Sequence, residues 1–212
     1  MLAPHNRSLL FDLLRPPDGY RLDAAVGTTY SLDLLAMLVT PLAFTLFDWE
    51  NKDGRIVASP FALLESLRRH ASHITLFCQA GEIQVPARHR QLFGYLERSV
   101  VEVRPPTEDR VFHPKMWLLR LAPATNEPSA DWPVLYRLLC PSRNLTFDRS
   151  WDTMLVLEGS YEPRGRRNEF NIPLAQLLRR LPELAVRPLP AGADGEPQRM
   201  AEEVLRVEFT PP

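Results

Sequence analysis

"FHPKMWLLR", Phe112–Arg120, is the stretch whose reading decides the fold. A histidine and a lysine stand two apart in an otherwise apolar run. In a β-strand alternate side chains share a face. His113 and Lys115 are therefore expected to project together, with Phe112 and Met116 turned the other way. Pro114 has no N–H to give a ladder, so the strand should be edge-like or bulged there. The spacing H-x-K is common by chance. On spacing alone, a polar tooth beside a snorkelling lysine explains it as well as chemistry does.

The segments on either side set the context. "RLDAAVGTTYS" reads as a strand ending at a turn. "SLDLLAMLVTPLAFTLF" reads as a helix capped by Ser31 and broken or kinked at Pro41. "SPFALLESLRRHAS" carries a cap, a proline at the first helical position and apolar helical spacing. "HITLFCQA" is a strand, "RHRQLFGYLERS" a helix and "VVEVRPP" a short strand. Beyond the opening stretch, "VLYRLLCPS" and "TMLVLEG" are strands, while "IPLAQLLRRLPELA" and "QRMAEEVLRV" are helices. Strands and helices alternate early and strands cluster late. The expected architecture is α/β, a mixed β-sheet flanked by helices on both faces. Residues 1–19 form an N-terminal helical segment, 20–190 the main domain, and 191–212 a linker and last helix, whose final residues look like the start of a further strand.

Downstream of the H-x-K run and one apolar strand comes "PSRNLTFDRSWDTMLVLEG". Ser142 and Asn144 form S-x-N at a strand end, and Asp152 precedes the next strand. The ordered set of H-x-K, strand, S-x-N-L-T, acid and strand resembles the phospholipase D superfamily, the HKD phosphodiesterases, in its nuclease branch. "AAVGTTYSLDLL" resembles that family's first strand and the turn into its first helix. The resemblance spans roughly residues 20 to 160. One motif position departs: H-x-K-x-x-x-x-D ends here in Arg120, which was open to a surface or a phosphate-binding role.

The resemblance implies a phospholipase D-like fold and hydrolysis of phosphodiesters through a phosphohistidine. His113 would be the nucleophile or the leaving-group acid. Lys115 and Asn144 would hold the nonbridging oxygens, Ser142 would support that cradle, and Asp152 would orient an imidazole across the site. Arg143 is a candidate phosphate contact, and Tyr30 a candidate lining residue. No metal or other cofactor is implied. Two histidines are needed and the chain offers one H-x-K. A homodimer sharing one active site is therefore expected, or a second lobe from a longer protein. The nuclease branch's habits suggest a cutting module of a bacterial restriction or antiphage system, acting on nucleic acid, DNA first. The competing class is a non-catalytic interaction or nucleic-acid-binding module, which the missing aspartate favours. A lipase at membranes ranks last.

Composition bounds these readings. The chain has 212 residues, 45% hydrophobic and 24% charged, with a net charge of -1. That excludes wholesale electrostatic capture of nucleic acid or anionic membrane, so a partner protein or additional domain would supply specificity. No apolar stretch suits a membrane span and no signal-peptide pattern opens the chain, which reads as cytoplasmic. Cys78 and Cys140 read as free thiols. The 5 histidines lack metal-ligand spacing. Trp117, Trp132 and Trp151 read as core or rim packing.

Overall fold

The fold was analysed in a computed structural model, which describes residues 10–44, 64–65, 68–86, 91–96, 98–124, 132–147, 151–189 and 195–212. Helices α1 (Leu10–Leu14) and α2 (Leu34–Ala43) precede most of the sheet. Helices α3 (Ile172–Arg180) and α4 (Gly195–Glu203) follow it. The strands are β1 (Tyr20–Thr29), β2 (Leu32–Asp33), β3 (Ile74–Gln79), β4 (Ile83–Gln84), β5 (Val100–Val103), β6 (Met116–Pro123), β7 (Leu135–Pro141) and β8 (Met154–Ser160). Six of them form one sheet in the order β5-β3-β1-β6-β7-β8. β1, β3 and β5 run parallel, and β6, β7 and β8 continue antiparallel from β1. β2 and β4 make a small parallel pair beside it.

The apolar residues of the strands sort onto the two faces of the sheet. Leu22, Ala25, Leu76, Trp117, Leu119 and Leu139 pack under α1 and α2. Ala24, Val26, Phe77, Leu118 and Tyr136 pack under α3 and α4, with Ala175, Leu178, Met200 and Ala201 from those helices. Leu22 and Ala25 share a face although they stand three positions apart. A register shift between Leu22 and Ala24, where the strand carries one extra residue, accounts for this. The extra residue is Asp23.

Gly27 is required by packing. It pairs with Trp117 across β1 and β6. A Cβ there would lie 2.6 Å from Leu76 Cδ1 and 2.9 Å from the Trp117 ring. Trp117 is 2% exposed and has nowhere to move. Gly27→Ala should therefore cost about 1–3 kcal/mol by overpacking, read as a lower urea midpoint with an unchanged slope. An unshifted midpoint would contradict this packing.

Several elements differ from their sequence reading. α2 does not break at Pro41 but runs through it to Ala43. The proline forfeits one ladder bond, to the Met37 carbonyl, while buried Met37 and Ala43 hold both flanks in the core. The cap is Asp33 rather than Ser31: the Leu35 N–H donates to Asp33 Oδ1 at 2.8 Å. Residues 91–96 form a 3-10 stretch rather than an α-helix. Of the expected helix at 59–72, residues 64–65 and 68–70 are described and helical, and the chain then tightens into a 3-10 turn at Ala71–His73. The rest of that reading, and the end of the α2 reading beyond 44, lie outside the described residues. α4 starts at Gly195, inside the expected linker, and its Met200 and Ala201 belong to the core beneath α3.

The position that departs from the H-x-K-x-x-x-x-D pattern lies inside the protein. The Arg120 side chain is 12% exposed. It donates to Asp23 at 2.8 Å and to Glu203 at 2.7 and 3.2 Å. Tyr136 Oη also donates to Glu203, at 2.7 Å, and Arg199 donates to Asp23 at 2.6 Å. Neither a surface nor a phosphate-binding role holds for Arg120. It ties β6 to α4 and to the bulge in β1.

Candidate active site

The candidate site is built on the carboxyl end of β1, at Thr28, Thr29 and Tyr30. The expected strand through His113 and Lys115 begins only at Met116. Pro114 supplies no N–H, and the Met116 N–H goes instead to Thr28 Oγ1, 3.1 Å away. The Phe112 N–H is held by Gln79 Oε1 at 2.7 Å. The residues before β6 thus lie outside the ladder, held at Phe112 and Met116 by side chains from β3 and β1. His113 and Lys115 still converge. Lys115 Nζ lies 3.0 Å from Nδ1 and 3.2 Å from Nε2 of His113, and donates to its carbonyl at 3.3 Å. His113 is exposed and Lys115 half-buried. Burial lowers the Lys115 pKa from its ordinary value, since it penalises the ammonium.

The S-x-N turn is fastened to the same strand end. The Leu145 N–H donates to Thr29 Oγ1 at 3.0 Å, and that hydroxyl donates its proton to the Ser31 carbonyl at 2.8 Å. The Tyr30 N–H donates to Asn144 Oδ1 at 3.2 Å. A backbone N–H can only donate, so the Asn144 carbonyl oxygen faces Tyr30 and its NH2 faces away. The Tyr30 ring packs against the His113 ring with centroids 5.1 Å apart. A hydrogen bond to the Glu82 carboxylate raises the Tyr30 phenol pKa, and burial adds to the effect. Tyr30 therefore joins the two motifs, its backbone on Asn144 and its ring on His113.

Ser142 and Asp152 form a clamp. Asp152 Oδ1 accepts from the Ser142 N–H at 2.8 Å and from its hydroxyl at 2.5 Å. The Ser142 N–H also reaches the Thr153 carbonyl at 2.9 Å, and Ser142 Oγ accepts from the Thr153 N–H at 3.2 Å. The clamp closes the loop between β7 and β8 that carries Asn144. Within one chain Asp152 thus engages the S-x-N turn. Arg143, between Ser142 and Asn144, is half-buried. Glu158 lies toward the other end of β8, where it pairs with Arg137, which also donates to the carbonyls of Leu13 and Arg15.

Thr28, Thr29 and Gln79 escaped the sequence reading. Their signal was present as polar residues ending otherwise apolar strands, but nothing local shows which loops they receive. Of the tryptophans, Trp117 is core and Trp132 packs on Tyr20 with centroids 5.6 Å apart. Trp151 is not core, being 77% exposed. Cys78 is a buried free thiol, pushed up to about 12 by burial, and Cys140 is a half-buried one. Among the described residues no group of His, Cys, Asp and Glu gathers as metal ligands, and no helix is long and apolar enough to cross a membrane.

No protein-family model matches the sequence, and no curated protein does. Among solved structures, the chain is similar to a mutant of the yeast tyrosyl-DNA phosphodiesterase, with a TM-score of 0.51 and 12% identity. The match covers 91% of this chain and 36% of that one. The likeness is one of fold, which is α/β and phospholipase D-like. In this phospholipase D fold, the H-x-K run enters the strand antiparallel to β1, and the S-x-N turn leaves the next strand. The fold therefore explains why residues about thirty apart in sequence come to one strand end.

Proposed function

We propose that the chain is a phosphodiesterase acting on nucleic acid, with DNA the first substrate to test. One observation carries this reading: the His113–Lys115 pair and the Asn144 amide are both anchored on residues 28–30, at the carboxyl end of β1. A nucleophile or acid, a cation and an amide donor at one strand end are the groups that phosphoryl transfer needs. The yeast neighbour's activity on tyrosyl-DNA supports the choice of substrate class.

The chemistry follows from the groups. A His113 imidazole nitrogen attacks phosphorus, and the P–O bond to the leaving group breaks as the P–N bond forms. A second imidazole gives its proton to the departing oxygen. Water then attacks the phosphohistidine, losing its proton to that second imidazole, and His113 is released. Lys115 and the Asn144 NH2 meet the nonbridging oxygens, where charge gathers. Ser142 and Asp152 hold Asn144 in place, and Arg143 is a further phosphate contact. Asp152 is also the carboxylate available to orient the imidazole of a second copy.

That second imidazole comes from a second chain in this reading, a homodimer with one shared centre. The openness of the site supports it, because His113 is exposed. Two hollows in the described surface lie elsewhere. One, of about 720 Å³, is lined by Ile83, Phe93 and Val100; the other, of about 580 Å³, by Arg166, Arg167 and Phe170.

Two measurements test these claims. Digestion of DNA, RNA and phosphatidylcholine with EDTA present should yield cleaved nucleic acid and intact lipid; inert nucleic acid would return the chain to a binding module. Wild-type chains mixed with excess His113→Ala chains should lose activity as the square of the wild-type fraction after subunit exchange. A linear loss would remove the shared site.

A further inference from the structure

Within one chain the His113 imidazole has no carboxylate to orient it. Asp152, the expected partner, turns Oδ1 to Ser142 instead. Among the described residues, the side chains that engage the His113 ring are Lys115 and Tyr30. Lys115 does not choose an orientation. Its Nζ lies 3.0 Å from Nδ1 and 3.2 Å from Nε2, so a ring turned over meets it almost equally well. An exposed side chain left to that one contact changes rotamer on the picosecond to nanosecond scale. Attack on phosphorus needs one nitrogen held within about 3–3.5 Å and aligned with the bond that breaks.

Tyr30 is held where it can supply that constraint. Its N–H donates to Asn144 Oδ1 at 3.2 Å, and its carbonyl accepts from the Gln79 N–H at 3.2 Å. The Gln79 side chain in turn accepts from the Phe112 N–H, the residue before His113, at 2.7 Å. One glutamine thus sets the spacing between the tyrosine and the H-x-K run. The phenol is tied to the Glu82 carboxylate. Glu82 is anchored in its turn, its carbonyl accepting from the Leu32 N–H at 3.0 Å. The Tyr30 ring therefore meets the imidazole from a fixed backbone and a fixed hydroxyl, with the two planes 44° apart. The 5.1 Å centroid separation is that of a packed aromatic pair. A flat ring against one side of the imidazole obstructs its rotation about the Cβ–Cγ bond.

We infer that Tyr30 is a positioning residue, whose ring sets the rotation of the His113 imidazole and so presents one nitrogen to the phosphate. This rests on the proposed function and goes beyond it, since Tyr30 then acts through His113 and not as a lining contact to the substrate.

The test compares Tyr30→Leu with Tyr30→Phe, reading cleavage of a DNA oligonucleotide as separate kcat and KM. Leucine removes the flat ring and leaves the backbone N–H on Asn144. Tyr30→Leu should lower kcat by about 10- to 100-fold and hold KM within about twofold. Tyr30→Phe keeps the ring and loses the bond to Glu82, so it should restore most of kcat. Wild-type kcat in Tyr30→Leu would overturn the inference. So would a raised KM at unchanged kcat, which would make Tyr30 a substrate contact, or a Tyr30→Phe protein as slow as Tyr30→Leu. A second readout needs no turnover. The imidazole NMR signals of His113, assigned by their loss in His113→Ala, carry the ring current of the neighbouring aromatic. They should move in Tyr30→Leu and stay near the parent position in Tyr30→Phe; signals unmoved in Tyr30→Leu would overturn the inference whatever the rates. An inert wild-type protein whose signals move as stated would sink the proposed function and leave the ring contact standing. Cleavage of DNA at a rate indifferent to Tyr30 would sink this inference alone.

Discussion

Purified His113→Ala protein should lose cleavage by about a thousandfold or more, because removing a covalent nucleophile or its acid partner leaves no alternative route of comparable rate. The same protein should fold with unchanged stability to within about 0.5 kcal/mol, since His113 is exposed and its side chain supports no core contact. The two readouts together make the result specific. Thr28 and Gln79 hold the backbone on either side of position 113, so the alanine leaves the approach to β6 intact. Lys115→Ala should follow with a smaller loss, because it removes a charge that steadies the transition state and not the bond-forming atom. Full activity in purified His113→Ala protein would remove His113 from the chemistry.

Arg120→Met should destabilise the protein by about 3–5 kcal/mol, the cost of leaving buried carboxylates without their partner. The relevant side chains are 12% exposed at Arg120, 20% at Asp23 and 13% at Glu203. Water therefore screens them little. For a chain of this size that corresponds to a melting point lower by about 10 °C. Arg120→Asp, which restores the aspartate of the H-x-K-x-x-x-x-D pattern, should be worse, because it sets a third carboxylate beside two. A stable Arg120→Asp protein would contradict the ion cluster. Acid gives an independent check. Burial pushes the Asp23 carboxyl up, but Arg120 and Arg199 outweigh it, so its pKa lies below the ordinary 3.8. A depressed carboxyl stabilises fully above its unfolded value and loses that contribution as pH falls through the folded one. The parent protein should lose stability steeply below about pH 4, and Arg120→Met should show a flatter slope there.

Arg120 also shows why part of the fold was legible and part was not. The strands follow from short apolar runs bounded by turn signals, and β1, β3, β6, β7 and β8 sit where those runs are. The resemblance in "HPK" and "SRN" led to the right architecture because the order of strands around them is itself informative. The role of Arg120 was hidden. Its partners Asp23 and Glu203 come from far along the chain, and Asp23 reaches it only through a one-residue bulge that no periodicity displays. The start of β6 was misplaced for a related reason. Pro114 was read as a flaw in a strand, whereas the ladder begins after it, once Thr28 takes the Met116 N–H. The uncapped Ser31 and the unbroken α2 are local signals outvoted by burial.

The hydrogen bonds that join the two motifs to the end of β1 reach far along the chain. The Met116 N–H finds Thr28 across 88 residues, the Tyr30 N–H finds Asn144 across 114, and the Leu145 N–H finds Thr29 across 116. Closing loops of that length carries an entropic cost that must be met before any contact rewards it. The β6–β8 meander can form locally, with both motifs and the Ser142–Asp152 clamp already on it, and still lack the bonds to β1 that bring the motifs together. Under the proposed function, reactivity would therefore be coupled to completion of the tertiary fold, and a nascent or partly unfolded chain would carry its full set of motif residues in a harmless arrangement.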